Sequence, residues 1–221
     1  MPQEKINARF EKGESVYDKK FLSYMAGVSE HILARADMHP SDRVLDLGCG
    51  TGELLMKLHK QEPHLKMLLG LDLSESMIVE ARKKFKDIPL MEVQVGNADH
   101  IPFPDNYCNM VTMTGIMHYL INPEVVFREI ARVLAPGGQV LIVDIAWEFF
   151  AMRFQHSLRR FLHPGAARLY TAQEVGEYCA KVGIIMTHSE LFKAGMFGLY
   201  LVEARKPNEA FTLKEPLFTY Q

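Results

Sequence analysis

Residues 44–55 read V-L-D-L-G-C-G-T-G-E-L-L, a short apolar run that ends in an acid and leads into three glycines spaced two residues apart. A helical pattern of apolar residues begins directly after the last glycine. Glycine is favoured in such a turn because a positive φ angle, or the close approach of a ligand, leaves no room for a Cβ atom. A strand, a tight turn and a helix N-terminus in this order point backbone N–H groups outward, which predicts a pocket for a nucleotide-like ligand.

The spacing of the glycines distinguishes between such ligands. The dinucleotide fingerprint has a third glycine three residues after the second. With Gly48 and Gly50 as the first pair, that position is Glu53. The third glycine is instead Gly52, and Asp46 lies two residues before the first glycine. In this D-x-G-x-G-x-G form, the stretch resembles motif I of the class I S-adenosylmethionine-dependent methyltransferases.

A second buried strand is predicted at residues 67–73, where a continuous apolar run again ends with an acid, Asp72. Continuous runs of this kind suit strands that are buried on both faces of a parallel sheet. Asp72 lies twenty residues beyond Gly52, a distance at which an acid can accept hydrogen bonds from ribose hydroxyls. Ser74 is a predicted helix N-cap. By resemblance to the same family, Met77 packs near the adenine.

The third strand is predicted at residues 91–95. The loop after it, residues 96–104, reads G-N-A-D-H-I-P-F-P. It resembles the G-[DN]-A-x-x-[LI]-P-F segment of the same methyltransferases. The resemblance implies that the Asn97 side chain accepts a hydrogen bond from the adenine amine and that the Ala98 N–H reaches a ring nitrogen. Relatives often carry Asp at this position, and an amide oxygen accepts equally well. Asp99 is the alternative acceptor if the register of the loop shifts, and Asn97 is favoured.

The next two strands match the family unequally. Where relatives carry F-D-x-V at the start of the fourth strand, residues 108–111 read C-N-M-V, so the match is weaker there. The end of this strand contributes cofactor contacts in relatives, which makes Thr114 a candidate. Residues 129–143 read E-I-A-R-V-L-A-P-G-G-Q-V-L-I-V, a segment characteristic of the family. Because the match covers about residues 43–145, the chain is identified as a member of the type 11 group, which includes quinone-biosynthesis and many small-molecule enzymes.

The resemblance implies an α/β fold of the doubly wound, Rossmann-like kind. The expected sheet is seven-stranded and mostly parallel, with helices on both faces and the last strand antiparallel. We expect an N-terminal helical cap at residues 1–40 and the methyltransferase domain at 41–206. Within that domain, residues 146–172 are expected to form a substrate-side insertion, and residues 207–221 form a C-terminal tail.

Two segments outside the motifs supply candidate contacts. In the cap, apolar residues recur at helical spacing. Tyr17, Asp18 and Tyr24 are candidates there for a lid over the cofactor; the alternative is a helix that packs its aromatics on the domain. Residues 147–162 combine apolar and aromatic residues at helical spacing with basic residues. In relatives this segment often shapes the substrate pocket, which makes Trp147 and Arg153 candidates. A basic amphipathic helix also suits a membrane surface or a partner, and a surface helix packed on the sheet is a further alternative.

Composition restricts the function classes. The chain has 221 residues and a formal net charge of −2, which offers no argument for a nucleic acid partner. Cys49, Cys108 and Cys179 lie far apart without metal-ligand spacing, so we expect no metal site and a reducing compartment. The sequence contains no evident signal peptide or membrane-length apolar run. We therefore expect a cytoplasmic protein without stable membrane insertion, and a homodimer is an open prediction.

Methyl transfer from a sulfonium requires donor and acceptor to be held in line with water excluded. A general base is needed only if the nucleophile arrives protonated. His118, after the end of the fourth strand, is the candidate base because a histidine can titrate near neutral pH; a structural role is the alternative. The N-P-P-Y segment of exocyclic-amine nucleic acid methyltransferases does not occur at this strand end. A small-molecule acceptor is therefore favoured, and its reacting atom (O, N, C or S) is unassigned.

The sequence thus predicts a methyltransferase that uses S-adenosyl-L-methionine and releases S-adenosyl-L-homocysteine. A non-catalytic module that binds S-adenosylmethionine is one alternative, and an NAD(P)-dependent oxidoreductase, which needs the missing third glycine, is another. The predicted substrate contacts are Tyr24, Tyr119, Trp147 and Arg153. The predicted cofactor contacts are Asp46, Gly48, Cys49, Gly50, Gly52, Asp72, Leu73, Met77, Asn97, Ala98, Thr114 and Tyr17.

Overall fold

The computed structural model describes residues 22–146, 168–195 and 197–208. In this part of the chain, seven strands form one sheet in the order β3-β2-β1-β4-β5-β7-β6. Strands β1 to β5 pair in parallel, whereas β7 lies antiparallel between β5 and β6. The predicted doubly wound sheet with an antiparallel last strand is therefore confirmed. The strands are β1 (Arg43–Leu47), β2 (Met67–Asp72), β3 (Met91–Val95), β4 (Cys108–Thr114), β5 (Leu134–Ile145), β6 (Ile185–Ala194) and β7 (Phe197–Arg205).

The order of the strands reverses at β1. Strand β1 pairs with β2 on one side and with β4 on the other, so the chain moves outward from β1 first in one direction and then in the opposite one. In open α/β sheets, the carboxyl ends of the two strands at such a point leave a crevice in which ligands bind. The topology therefore places the glycine turn, which follows β1, at the edge of this crevice.

Helices cover both faces of the sheet. Helices α1 (Leu22–Arg35), α2 (Glu53–Gln61) and α3 (Glu75–Phe85) share one apolar core with the sheet, and α4 (Pro123–Val133) and α5 (Ala172–Lys181) share the other. Successive strand residues alternate between the two cores, because side chains along a strand point to opposite faces. The inner strands are buried on both sides for this reason, which explains their continuous apolar runs.

Capping residues in the sequence predict three helix starts, at Ser74, at Asn122-Pro123 and at Thr171, and all three agree with the structure. The Ser74 hydroxyl accepts a hydrogen bond from the Met77 N–H at 3.3 Å. Thr171 and Glu174 form a reciprocal capping box at the start of α5. Asn122 does occupy the N-cap position before Pro123, but its side chain makes no cap hydrogen bond. Proline suits the first helical position because its φ angle is already helical and its missing N–H is one that a helix start leaves unpaired.

The fifth strand begins earlier than its sequence pattern predicts. The apolar stripe assigns Leu134 to α4 and starts the strand at Gln139, whereas β5 already begins at Leu134, which pairs with Cys108 of β4. The backbone of Leu134 is extended, with φ −74° and ψ 128°. Pairing with a neighbouring strand thus ends the helix before the Pro-Gly-Gly segment, and this partner lies too far away in the sequence to be seen by local pattern.

Helix α1 is fastened to the outer strands of the sheet. The His31 ring stacks on Phe192 with ring centroids 3.7 Å apart, and its Nδ1 lies 2.9 Å from a carboxylate oxygen of Glu190. Gly27 packs so closely on Ala194 that a Cβ atom at Gly27 would lie 2.7 Å from the alanine methyl. The helix is therefore held against β6, although the limits of the cap, the insertion and the tail stay predictions. Across the described residues, no helix combines the length and apolarity needed to cross a membrane.

Candidate cofactor site

The glycine turn after β1 is held by backbone hydrogen bonds to β2. The N–H groups of Gly48 and Cys49 both donate to the Leu71 carbonyl oxygen, at 2.7 and 3.2 Å. The Gly50 N–H donates to a carboxylate oxygen of Asp72 at 2.8 Å. All three glycines of the turn have positive φ angles, as their spacing predicts. The turn therefore derives its shape from the neighbouring strand as well as from its own residues.

Two of these glycines are required for different reasons. A Cβ atom at Gly52 would lie 2.1 Å from the ring of Phe85, so this glycine permits the close packing of α3 on the turn. A Cβ atom at Gly50 would meet no atom within 4 Å. Gly50 also lines the cavity described below. The space above Gly50 is therefore open for a ligand, whereas the space above Gly52 is filled by the protein.

Asp72 is the point at which the turn and the end of β2 are joined. One carboxylate oxygen accepts from Gly50, and the other accepts from the Ser74 N–H at 2.9 Å. Burial raises the pKa of Asp72, and hydrogen bonds from the backbone N–H groups of Ser74, Gly50 and Leu73 oppose this shift. The sequence predicted a ribose contact for this acid and missed its second role, which is to hold the glycine turn.

A cavity of about 260 Å³ opens at the carboxyl ends of β1, β2 and β4. It brings together predicted contacts from the ends of four strands, β1 to β4: Gly48, Gly50, Asp72, Leu73, Met77, Asn97, Ala98, Thr114 and Tyr119. Residues that sequence analysis did not single out complete its wall, chiefly Ile116, Leu120, Ile121 and Val126. Most of this unpredicted wall comes from the turn between β4 and α4, where no regular pattern marks the residues that face inward.

Asn97 and Asp99 both line the cavity, so the alternative between them stays open. The Asp99 N–H donates to the Asn97 side-chain oxygen at 3.4 Å, and the His100 N–H donates to the Asn97 carbonyl at 3.0 Å. These bonds form a compact turn that presents the backbone of Ala98 between the two side chains. An amide oxygen has two lone pairs, so Asn97 keeps the capacity to accept a further hydrogen bond.

An ion pair on α4 fixes the loop that carries Asn97. Glu129 accepts the Ile101 N–H at 2.8 Å, and Arg132 donates to the carbonyl oxygens of Ile101 and Phe103, each at 2.8 Å. Arg132 and Glu129 also bond to each other twice, at 2.7 and 2.8 Å. The hydrogen bond from Arg132 holds the pKa of Glu129 below its usual value. The sequence shows that Glu129 and Arg132 are three residues apart on a predicted helix. It does not show that the pair binds the loop at residues 101–103.

Asp46 lies behind the glycine turn, outside the cavity wall. It is 1% exposed and accepts a hydrogen bond from the Thr112 hydroxyl of β4 at 2.7 Å. Burial raises the pKa of Asp46 from 3.8 to about 7; the hydrogen bond from Thr112 opposes this shift and the charge of Asp72 adds to it. Cys49 is buried as well, and burial raises the pKa of its thiol well above 9.0. Asp46 and Cys49, both predicted to contact the cofactor, therefore lie beneath the glycine turn and support its shape.

His118 forms a buried pair with an acid that sequence analysis did not select. Its Nδ1 lies 2.6 Å from Asp144 Oδ1, and its backbone N–H donates to Asp144 Oδ2 at 3.3 Å. The His118 side chain is 12% exposed and its ring lies 4.0 Å from that of Tyr119, which lines the cavity. Asp144 is the last but one residue of an apolar strand, as Asp46 is, and Asp72 is the last residue of β2. That repeated pattern was the available signal.

Tyr24 is brought to the same edge of the sheet by α1. Its ring packs edge-on against Phe197 with centroids 5.4 Å apart. A Cβ atom at Gly115 would lie 3.2 Å from the Tyr24 hydroxyl, which places this hydroxyl beside the end of β4. The other predicted contacts from the cap and the insertion, Tyr17, Asp18, Trp147 and Arg153, lie outside the described residues.

The fold and this site together define a class of protein: a doubly wound α/β domain with a nucleotide-cofactor cavity at its topological switch point. Residues 45–142 match the family model described as methyltransferase domain. Residues 45–142 therefore form a class I S-adenosylmethionine-dependent methyltransferase domain of the type 11 group, and the cofactor of this group is S-adenosyl-L-methionine.

Two curated relatives are similar to this chain in sequence. The chain is 32% identical over 158 residues to a demethylmenaquinone methyltransferase of Symbiobacterium thermophilum, covering 67% of this chain and 63% of that protein. It is also 32% identical over 115 residues to a ubiquinone/menaquinone biosynthesis C-methyltransferase of Cupriavidus pinatubonensis, covering 52% of this chain and 47% of that protein. The matched part thus spans about half to two thirds of the length of these relatives.

A solved structure supports the fold. A chain from the complex between the Haloferax volcanii Trm112 methyltransferase activator and a methyltransferase superimposes with a TM-score of 0.75 at 23% identity. The match covers 87% of this chain and 95% of that chain. At this identity the likeness concerns the architecture alone.

Proposed function

We propose that this protein transfers a methyl group from S-adenosylmethionine to a small-molecule acceptor. The observation that carries the proposal is one cavity in which predicted contacts from the ends of four strands, β1 to β4, meet. When bound, the cofactor supplies a methyl group activated by a sulfonium centre, with a neutral thioether as leaving group. Binding, orientation and exclusion of water are then the tasks of the protein.

The residues of the cavity fit this cofactor. The space above Gly50 is open, and Gly48 and Gly50 form part of the cavity wall. We assign the ribose hydroxyls to the carboxylate of Asp72, and the adenine amine to the oxygen of Asn97 with Asp99 as the alternative. Leu73 and Met77 provide apolar surface on the same side. Asp46, Cys49 and Gly52 contribute by shaping the turn rather than by contact.

The acceptor is proposed to be apolar and to enter near the end of β4. The cavity wall there includes Leu120, Val126 and Ile121, of which Ile121 is 67% exposed at the rim. Exposed apolar side chains beside a pocket are typical of surfaces that bind apolar ligands. The names of the two curated relatives point in the same direction, towards a quinone precursor. A small-molecule acceptor rather than a nucleic acid, a cytoplasmic location and a homodimer stay predictions.

His118 and Asp144 are proposed to provide the base when the acceptor arrives protonated. An ionised carboxylate can only accept hydrogen bonds, so its contact with Nδ1 favours the tautomer in which this nitrogen carries the proton. The Nε2 atom is then free to accept a proton. His118 lies next to Tyr119 and does not line the cavity. The proton of the acceptor must therefore reach Nε2 past the edge of the Tyr119 ring or through a water molecule.

Binding and transfer test the proposal in two steps. Calorimetry should give binding of S-adenosylmethionine and S-adenosylhomocysteine by the wild-type protein, with NADH as the negative control. Asp72→Asn keeps the shape of the side chain but removes its charge, and it should weaken both interactions. Asp87→Asn, which removes an exposed acid on the surface, is the matched control.

Transfer is then measured with a radiolabelled methyl donor and demethylmenaquinone as the acceptor probe. Incorporation of label into the quinone supports the full proposal. Binding of NADH without S-adenosylmethionine would overturn it in favour of an oxidoreductase. Cofactor binding without transfer to the quinone, or to a panel of phenols, thiols and amines, would identify a non-catalytic module.

A further inference from the structure

Asp46 is a buried carboxylate with little compensation. It is the last but one residue of β1, two residues before Gly48, and within the described part of the chain its side chain accepts one hydrogen bond, from the Thr112 hydroxyl. Among the described residues, no lysine, arginine or histidine lies within ion-pair distance of it. A buried charge without a partner is unfavourable. Such a carboxyl group therefore keeps its proton unless a cation binds nearby.

In the part of the chain that the structure describes, the groups around Asp46 include a second acid and no base. Asp72 faces it from β2, the Cys49 thiol faces it from the turn, and Thr112 presents a hydroxyl from β4. Asp72 receives backbone N–H groups at 2.8 and 2.9 Å, which stabilise its ionised form. The two carboxylates thus differ in their support: one is held by the amides of the turn, and the other by a single hydroxyl.

The two forms of the cofactor differ in charge at the position where the turn would hold them. S-adenosylmethionine carries a positive sulfonium, whereas S-adenosylhomocysteine has a neutral thioether and is otherwise alike. In a buried region of low dielectric, a charge that enters the cavity acts strongly on an ionisable group behind its wall. A cation favours the ionised form of that group.

We propose that Asp46 distinguishes the methyl donor from its product, by giving up its proton when the positively charged donor binds and keeping it when the neutral product binds. This inference rests on the proposed function, because it requires that the cavity hold this cofactor. The exchange is balanced: the donor brings one positive charge, and one proton leaves to solvent. Transfer of the methyl group removes the positive charge, after which Asp46 takes up a proton and the attraction that held the donor is lost.

The chemistry of Asp46 supports this exchange near neutral pH. Burial places its pKa at about 7 in the free protein, so both protonation states are accessible there. The α-amino and carboxylate groups of the ligand are common to donor and product. A difference between the two in proton release therefore reports on the sulfonium rather than on these groups.

The test is calorimetric binding of S-adenosylmethionine and S-adenosylhomocysteine at pH 6 and pH 7.5, in two buffers of different ionisation enthalpy. For a group of pKa about 7 that is fully deprotonated by the donor, linkage predicts an affinity that rises about eightfold over this interval. The affinity for the product should change less than about twofold. The buffer comparison should give release of up to one proton for the donor and close to none for the product.

Two variants separate Asp46 from other titrating groups. Asp46→Asn keeps the size of the side chain and mimics the neutral form, so the donor and the product should then bind with the same dependence on pH. Thr112→Val removes the hydroxyl that supports the ionised form, so the rise in donor affinity should move to higher pH. Both effects can be read from binding alone.

The outcomes are distinct. Equal pH dependence for donor and product in the wild-type protein would overturn the inference while leaving the proposed cofactor intact. Retention of the difference in Asp46→Asn would do the same, by assigning it to another group. Failure of both ligands to bind the wild-type protein would instead overturn the proposed function itself.

Discussion

The two halves of the site are built differently. The half around β1, β2 and β3 consists of short continuous stretches, in which each strand end and the turn after it supply neighbouring contacts, as Asp72 and Ser74 do. The half beyond β4 is assembled from residues far apart in the chain: Tyr24 from α1, His118 after β4, Asp144 from β5 and Phe197 from β7. Sequence motifs therefore describe the first half well, whereas the second half depends on packing.

The largest effect of a substitution on stability is expected at the glycine turn. Gly52→Ala should lower the free energy of unfolding by about 4 kcal/mol, because the residue has a φ angle of +80° and its Cβ atom would overlap the Phe85 ring. Gly183→Ala is the matched control, since Gly183 has a φ angle of +77° but open space around it. Its cost should be near 1 kcal/mol. Similar costs for both variants in urea denaturation would show that packing against Phe85 is unimportant.

The ion pair on α4 is expected to give the next effect. Arg132→Ala removes the donors that hold the Ile101 and Phe103 carbonyls and leaves Glu129 half-buried without its partner. We expect a loss of about 2–3 kcal/mol in stability and weaker binding of S-adenosylmethionine, since the Asn97 loop is released. Arg128→Ala, an exposed arginine on the same helix, is the control and should stay within about 0.5 kcal/mol of wild type. Binding unchanged in Arg132→Ala would mean that the loop holds its shape alone.

Asp46 makes stability depend on pH in a direction opposite to that of a salt-bridged acid. Its pKa is raised by burial from 3.8 to about 7 in the folded protein, so the folded state binds the proton more tightly than the unfolded chain. The stabilisation is complete below pH 3.8 and is lost as the pH rises towards 7.

The matching experiment compares wild type with Asp46→Asn. The free energy of unfolding of the variant relative to wild type should increase by about 3–4 kcal/mol between pH 4 and pH 7.5. Glu129 and Glu190, whose pKa values are lowered by Arg132 and His31, act in the opposite direction below about pH 4.5 but are common to both proteins. Parallel pH profiles of the two proteins would contradict a raised pKa at Asp46.

The smallest effect is expected in the half of the site beyond β4, where a substitution at Asp144 tests the role of this acid. Asp144→Asn should lower the rate of methyl transfer about tenfold while leaving the affinity for S-adenosylmethionine within about twofold, because Asp144 lies outside the cofactor cavity. The nitrogen chemical shifts of His118 should show loss of the Nδ1–H tautomer, a change that a merely structural role would not produce. If cofactor affinity falls as much as the rate, Asp144 serves the cofactor half instead.

The agreement between sequence and structure follows the same division. The strand limits at Met91–Val95 and the N-cap at Ser74 were predicted correctly, because an apolar run and a capping residue are local features. The start of β5 was wrong, because it depends on pairing with Cys108. The unpredicted part of the cavity wall, at Ile116 and Leu120, lies in a turn whose inward faces only the surrounding packing decides.

The sequence by itself determined the class of fold, the glycine turn and the acids at the strand ends, since each is encoded within a few consecutive residues. Only the tertiary structure decided what those acids do. Asp72 is held by backbone N–H groups, Asp46 is buried against a hydroxyl, and Asp144 pairs with a histidine. The three share one sequence pattern, an Asp at the last or last but one position of an apolar strand. Their chemistry differs because the pKa and the hydrogen bonds of a carboxyl group depend on the neighbours that folding brings to it.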